Sequence, residues 1–137
     1  MKISSTPREI KAPIATVFAK VSNFEHLRPL AERGAINGVS ISVQDADTCL
    51  LQTAIVGDIE LTIVQREVPT FVSLIPKNAP VSGSLSLTLT PLSEEVTSLV
   101  FTIEADVPIF AKAMVSKPMS EGVEKIADLF SSISYIE

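Results

Sequence analysis

The sequence predicts an α+β domain: a curved, seven-stranded antiparallel sheet, two short helices near the start, and a long C-terminal helix gripped by the sheet. Three observations predict it. Hydrophobic residues recur with period two through most of the chain from Ile36 to Ala105, interrupted by short polar or Pro/Gly turns. The period returns to about 3.6 from Asp106 to Ile133. Consecutive strands with one apolar face need a cover, and that last stretch is the one element long enough to supply it.

The final segment is laid out at about 100° per residue. Val115, Met119, Gly122, Val123, Ile126, Leu129, Phe130 and Ile133 then gather on one side, and Lys117, Glu121, Glu124, Lys125 and Asp128 opposite. Asp106 is the expected N-cap, with Pro108 in the first turn, where its missing N–H costs little. Pro118 interrupts the helix and shifts the phase of its first half. Ile109, Phe110, Ala113 and Met114 point away from the later core face, and Lys112 points towards it. Three readings follow: Phe110 and Met114 pack on loops such as Pro76–Gly83, the segment spans a pocket mouth where Lys112 or Lys117 meets an anionic group, or it forms a homodimer patch. Lys117, Glu121 and Lys125, spaced i, i+4, read as exposed ion pairs.

Met1 to Lys11 reads as a first strand. Ala12-Pro13 breaks it and opens a helix whose buried face is Ile14, Val17, Phe18 and Val21. Ser22-Asn23 ends that helix or caps the next segment, FEHLRPLAERG, which Pro29 shortens and Gly34 closes. The strands then follow in order. Val39, Ile41 and Val43 precede the turn Gln44–Thr48, and Cys49, Leu51, Thr53 and Ile55 precede the turn Val56–Asp58. Ile59, Leu61 and Ile63 come next, then Phe71 to Ile75, and the loop Pro76–Gly83. Leu85, Leu87 and Leu89 alternate with Ser84, Ser86, Thr88 and Thr90. Pro91–Glu95 turns, and Leu99, Phe101, Ile103 and Ala105 complete the set.

Composition sets outer limits. The 137 residues suit one domain, 1–137, and with 46% hydrophobic and 20% charged residues the chain is globular. A net charge of −5, with eleven basic residues scattered, argues against nucleic acid. The opening lacks the apolar core of a signal peptide, and no stretch approaches the ~18 apolar residues of a membrane span, so a soluble cytoplasmic domain is expected. One cysteine, Cys49, and one histidine, His26, give no disulfide framework, no metal-ligand set and no nucleophilic triad, and no cofactor is implied. Cys49 reads as an inert buried thiol and His26 as exposed.

The opening REIKAPIATVFAKVSNFEHLRPL resembles that of the START-related SRPBCC superfamily, which includes the birch pollen allergen, polyketide cyclases and START lipid-transfer domains. The matching residues are Ile10, Ala12, Pro13, Val17, Phe18, Ser22 and Asn23. AKAMVSKPMSEGVEKIADLFSSI, with VGDIELTIVQRE upstream, further resembles small uncharacterised members from Bacteroides-type bacteria. The resemblance implies a helix-grip fold with a cavity between sheet and C-terminal helix, holding a small hydrophobic or amphipathic ligand. The ligand-binding residues it implies are Phe24, Leu27, Leu51, Thr53, Leu61, Leu87, Phe101, Ile103, Lys112, Val115 and Met119. Ile59, Leu85, Leu99 and Leu30 face the same way. Other readings stand beside it: a filled core in a protein that works by self-association, or a cyclase or dehydratase with Lys112 or Glu104 in a closed pocket.

Overall fold

The computed structural model describes residues 1–34, 38–53, 57–77, 83–133 and 135. Ile36, where the period-two pattern begins, the expected strand member Ile55, the expected turn residue Val56, and most of the Pro76–Gly83 loop lie outside those residues.

The sheet is antiparallel throughout. Its strands are β1 Lys2–Ser4, β2 Arg8–Ile10, β3 Val39–Val43, β4 Thr48–Thr53, β5 Gly57–Glu67, β6 Phe71–Lys77, β7 Gly83–Ser93 and β8 Val96–Ala105. The order across the sheet is β1-β8-β7-β6-β5-β4-β3, with β2 also paired to β8. β1 and β2 are therefore two halves of the single first strand the sequence predicts. The break falls at Ser5–Pro7, where Pro7 has no N–H to offer. Ser5 repairs it locally: its N–H donates to the Phe101 carbonyl (2.8 Å), and its Oγ, standing in for a carbonyl, accepts from the Phe101 N–H (3.0 Å).

Three helices accompany the sheet: α1 Ile14–Val21, α2 Arg28–Glu32 and α3 Lys112–Ser131. α1 buries Val17, Phe18 and Val21 as its spacing predicts, while Ile14, expected on the same face, is half-buried at the first position of the helix. The segment holding Pro29 begins as a 3-10 turn, Phe24–Leu27, where the Asn23 side chain accepts from the Glu25 N–H at 2.9 Å. Ser22 caps the end of α1 and Asn23 the start of the next element, so both expected roles are filled.

Four boundaries depart from the sequence reading. α3 does not begin at Asp106. Pro108 instead leads into a 3-10 turn, Ile109–Ala111, and α3 starts at Lys112 without a side-chain cap. The β6 strand runs through Pro76 to Lys77, and β7 runs through Pro91 to Ser93 with a register shift between Pro91 and Ser93. β5 extends to Glu67 because a second register shift between Ile63 and Gln65 lets it bend and continue pairing. Beyond that shift Arg66 pairs with inward-facing Val72, and its guanidinium donates to the Ser22 carbonyl (2.9 Å) and to Asp47. Gly83 faces Ala105 so closely that a Cβ there would lie 2.1 Å from the Glu104 carbonyl oxygen.

The core lies between the concave face of the sheet and α3, closed at one end by α1 and the 3-10 turn. Its strand contribution is the alternate set the pattern predicts, including Leu61, Leu74, Leu85, Leu87, Leu99 and Phe101.

Candidate functional site

Register fixes which end of the sheet receives the helix. The starts of β1, β3, β5 and β7 and the finishes of β4, β6 and β8 share one end, and α3 leaves β8 from there. It then runs along β1 and β2, packing on β8.

Arg8 holds the second half of α3 in place. Its Nε donates to Asp128 Oδ1 (2.9 Å) and its Nη2 to the Glu124 carbonyl (3.1 Å), while Glu124 Oε1 accepts from the Thr6 N–H (2.8 Å). Arg8 is inward-facing because it pairs with Leu99, and its side chain is only 18% exposed. The ion pairs that tie α3 down are thus these, and not an exposed Lys117–Glu121–Lys125 series.

Burial divides α3 into unequal halves. From Val123 onward, Val123, Ile126, Ala127, Leu129 and Phe130 are buried, and the Phe130 ring stacks on Phe101 at 6.3 Å. From Lys112 to Gly122 no residue is buried. Val115 and Met119, in phase with the core face, are half-buried, and Lys112 is exposed.

The strands repeat this division. Of the ligand residues expected from sequence, Phe24, Leu27, Leu51, Leu61, Leu87 and Phe101 are 0–1% exposed, so protein atoms surround them and no water-sized space adjoins them. Thr53 and Ile103 are half-buried, as is Ile59, and register puts all three side chains on the concave face. The strand members of the expected set share the concave face, whereas Phe24 and Leu27 come from the 3-10 turn and Lys112, Val115 and Met119 from α3. The set is packed towards the α1 end and partly open towards the end where α3 begins.

The chemistry at this site is apolar. Lys112 and Glu104 are both exposed, and Glu104 pairs with Lys2 at 3.7 Å, so neither sits in a closed pocket. Among the described residues no Asp, Glu, Lys, Arg or His is buried. The Cys49 thiol is, and burial pushes its pKa up to about 12. His26 lies exposed in the 3-10 turn. No group of three or more His, Cys, Asp or Glu among the described residues is arranged to hold a metal ion, and no helix among them is long and apolar enough to cross a membrane.

Sequence reasoning misplaced one group. Phe110 and Met114 do not pack on loops: they are 86% and 78% exposed, and Ile109 is 85% exposed. Helical phase correctly turned Phe110 and Met114 away from the core.

No protein-family model matches the chain, and no curated protein matches its sequence. Solved structures do match its shape over nearly its whole length. A START superfamily protein from Mycobacterium smegmatis superposes with a TM-score of 0.67 at 16% identity, covering 95% of this chain and 94% of the other. Norcoclaurine synthase from Thalictrum flavum gives 0.72 at 12% identity, covering 96% and 84%. A protein from Chromobacterium violaceum gives 0.68 at 14% identity, covering 100% and 99%. With its curved antiparallel sheet closed on a long C-terminal helix, the chain has the helix-grip fold of the START-like, SRPBCC-type proteins.

Proposed function

We propose that the chain is a binding module for a small hydrophobic or amphipathic molecule, held between the first half of α3 and the inward side chains Thr53, Ile59 and Ile103. The observation that carries this reading is the split burial of the core. Val115 and Met119 on the helix are half-exposed on an inner face that is closed elsewhere. Concave, half-open apolar surface is what a small ligand covers. The fold supports the same reading, since norcoclaurine synthase was solved with dopamine and hydroxybenzaldehyde bound. In this arrangement Leu51, Leu61, Leu87 and Phe101 form the packed support below the ligand, backed by Phe24 and Leu27. Lys112 stands at the rim. It precedes Phe130 by eighteen residues, five helical turns, and so lies on the core-facing azimuth, where its ammonium can meet a ligand's anionic group.

A cyclase or dehydratase acting on such a ligand would need a buried acid or base. The exposure of Lys112 and Glu104 takes away the two candidates for it, so binding without catalysis is the reading retained.

Native mass spectrometry of protein purified from its own kind of cell, alongside a Val115→Trp variant that fills the half-open region, tests the proposal. A small molecule should accompany the wild-type chain and be lost from the variant while the melting temperature holds. A bare wild-type mass, together with no saturable uptake of a fluorescent fatty acid, would refute it.

A further inference from the structure

The half-open inner surface carries its charge on one side chain. Viewed down α3, Lys112, Val115, Ser116 and Met119 fall in an arc of about 100° that also holds buried Val123 and Phe130. The other charged residues of the helix, Lys117, Glu121, Glu124, Lys125 and Asp128, all lie at least about 120° from Lys112.

The strands make the same selection through register. At the end of the sheet where α3 begins, Ile3, Ile59 and Ile103 face inwards, so their neighbours Lys2, Asp58, Glu60 and Glu104 face the convex side. Lys77 pairs with Glu60 and faces the same way. Asp106 lies exposed in the link between β8 and the 3-10 turn. Arg8 and Arg66 face inwards only at the far end, where Arg8 is held by Glu124 and Asp128 and Arg66 by Asp47. Among the described residues no carboxylate pairs with Lys112.

The same surface has a stop. Burial on the helix begins at Val123, 1% exposed, and the inward residue of β8 beyond Ile103 is Phe101, fully buried and stacked on Phe130. From Val115 to Val123 the helix axis rises about 12 Å, the length of an extended chain of roughly ten carbons with bonds of about 1.5 Å. A lysine at the outer end, apolar side chains along the middle and a packed floor are the complement of a charged head on a tail of limited length.

We propose, resting on the binding-module reading above, that the ligand is an anionic amphiphile: a carboxylate or phosphate head at Lys112, on an apolar tail of no more than about ten carbons that ends against Val123. A cationic head fits less well, because the strand acids at this end are turned to the convex side. A full-length lipid chain overruns the floor.

The test is calorimetric titration of the full chain with decanoate, decyl phosphate, decanol and decylammonium, and with hexanoate and hexadecanoate for length. Decanoate should bind roughly 3–5-fold more tightly than decanol, the gain of an ion pair open to solvent, and ~10-fold more tightly than decylammonium. Both margins should shrink in about 0.5 M salt. The tighter of decanoate and decyl phosphate identifies the head. Affinity should rise from hexanoate to decanoate and rise no further by hexadecanoate, and Met119→Trp should move that plateau to shorter tails. Lys112→Glu should cancel the preference for decanoate over decylammonium, whereas Lys117→Glu, on the outer side of the helix, should keep it. Both lysines are exposed, so both variants should keep the wild-type melting temperature. Equal binding of decanoate, decanol and decylammonium, or a preference that survives Lys112→Glu, would overturn the anionic head and leave the binding module standing. Affinity still climbing at hexadecanoate would overturn the length limit. Binding of none of these compounds would refute the binding module itself, and the assignment of its ligand with it.

Discussion

Phe101→Ala and Ile103→Ala remove apolar side chains two residues apart on β8, both facing α3, one in the packed half of the core and one in the half-open part. Phe101 is 0% exposed and its ring stacks on Phe130 at 6.3 Å. Truncation there deletes the ring, leaves an enclosed cavity, and costs about 3–5 kcal/mol. Ile103 is only half-buried, so its truncation opens space already continuous with solvent and costs about 1–2 kcal/mol, below the range for fully buried isoleucines. For a chain of this length the first variant melts roughly 10–18 °C lower and the second roughly 3–7 °C lower. Urea unfolding with unchanged m-values separates the two costs cleanly. Added ligand should raise the wild-type midpoint and raise that of Ile103→Ala less. Equal costs at the two positions, or a Phe101→Ala cost below about 1.5 kcal/mol, would refute the division of the core into packed and half-open parts.

Two further outcomes follow from groups described above. Arg8→Ala should cost about 1–2 kcal/mol, because a mostly buried guanidinium loses its bonds to Asp128 and to the Glu124 carbonyl; amide exchange should quicken across the second half of α3 before it does in β5 or β6. The Cys49 thiol, raised by burial from 9.0 to about 12, binds its proton more tightly folded than unfolded. Its contribution to stability is therefore complete below pH 9 and declines as pH rises towards 12, with buried Tyr135, also raised by burial, acting in the same direction. Native protein should leave a thiol reagent unreacted at neutral pH, and Cys49→Ala should lose less stability than wild type between about pH 9 and 11. Rapid labelling of the folded chain would contradict that burial.

Much of this architecture was legible because side-chain alternation is a local signal. SLSLTLT set Leu85, Leu87 and Leu89 on one face without reference to any partner strand, and β7 carries them inward as expected. Helical phase likewise oriented Val123, Ile126 and Phe130. Phase states direction, however, and not whether anything waits in that direction, so the exposure of Phe110 and Met114 was beyond it. The start of α3 was misread because Asp106 and Pro108 satisfy the usual signature of a helix start, yet Pro108 instead precedes a 3-10 turn. The Arg8 contacts to α3 span more than a hundred residues of sequence and leave no trace in any window. The same limit applies to the site. The face of Leu51, Thr53, Leu61 and Ile103 could be read from period two, but how deeply each is covered depends on where α3 lies along its axis.

Pairing of the first strand with β8, Ile3 opposite Ile103 and Arg8 opposite Leu99, has a consequence for synthesis. The opening residues leave the ribosome about a hundred residues before their partner strand does. At roughly 5–20 residues per second they wait some 5–20 seconds with their backbone hydrogen bonds unmade. The meander β3 to β8 can assemble hairpin by hairpin as it emerges. The edge formed by β1 and β2 and the closing of α3 onto Arg8 come last, making the N-terminal strand among the latest parts of the sheet to find its place.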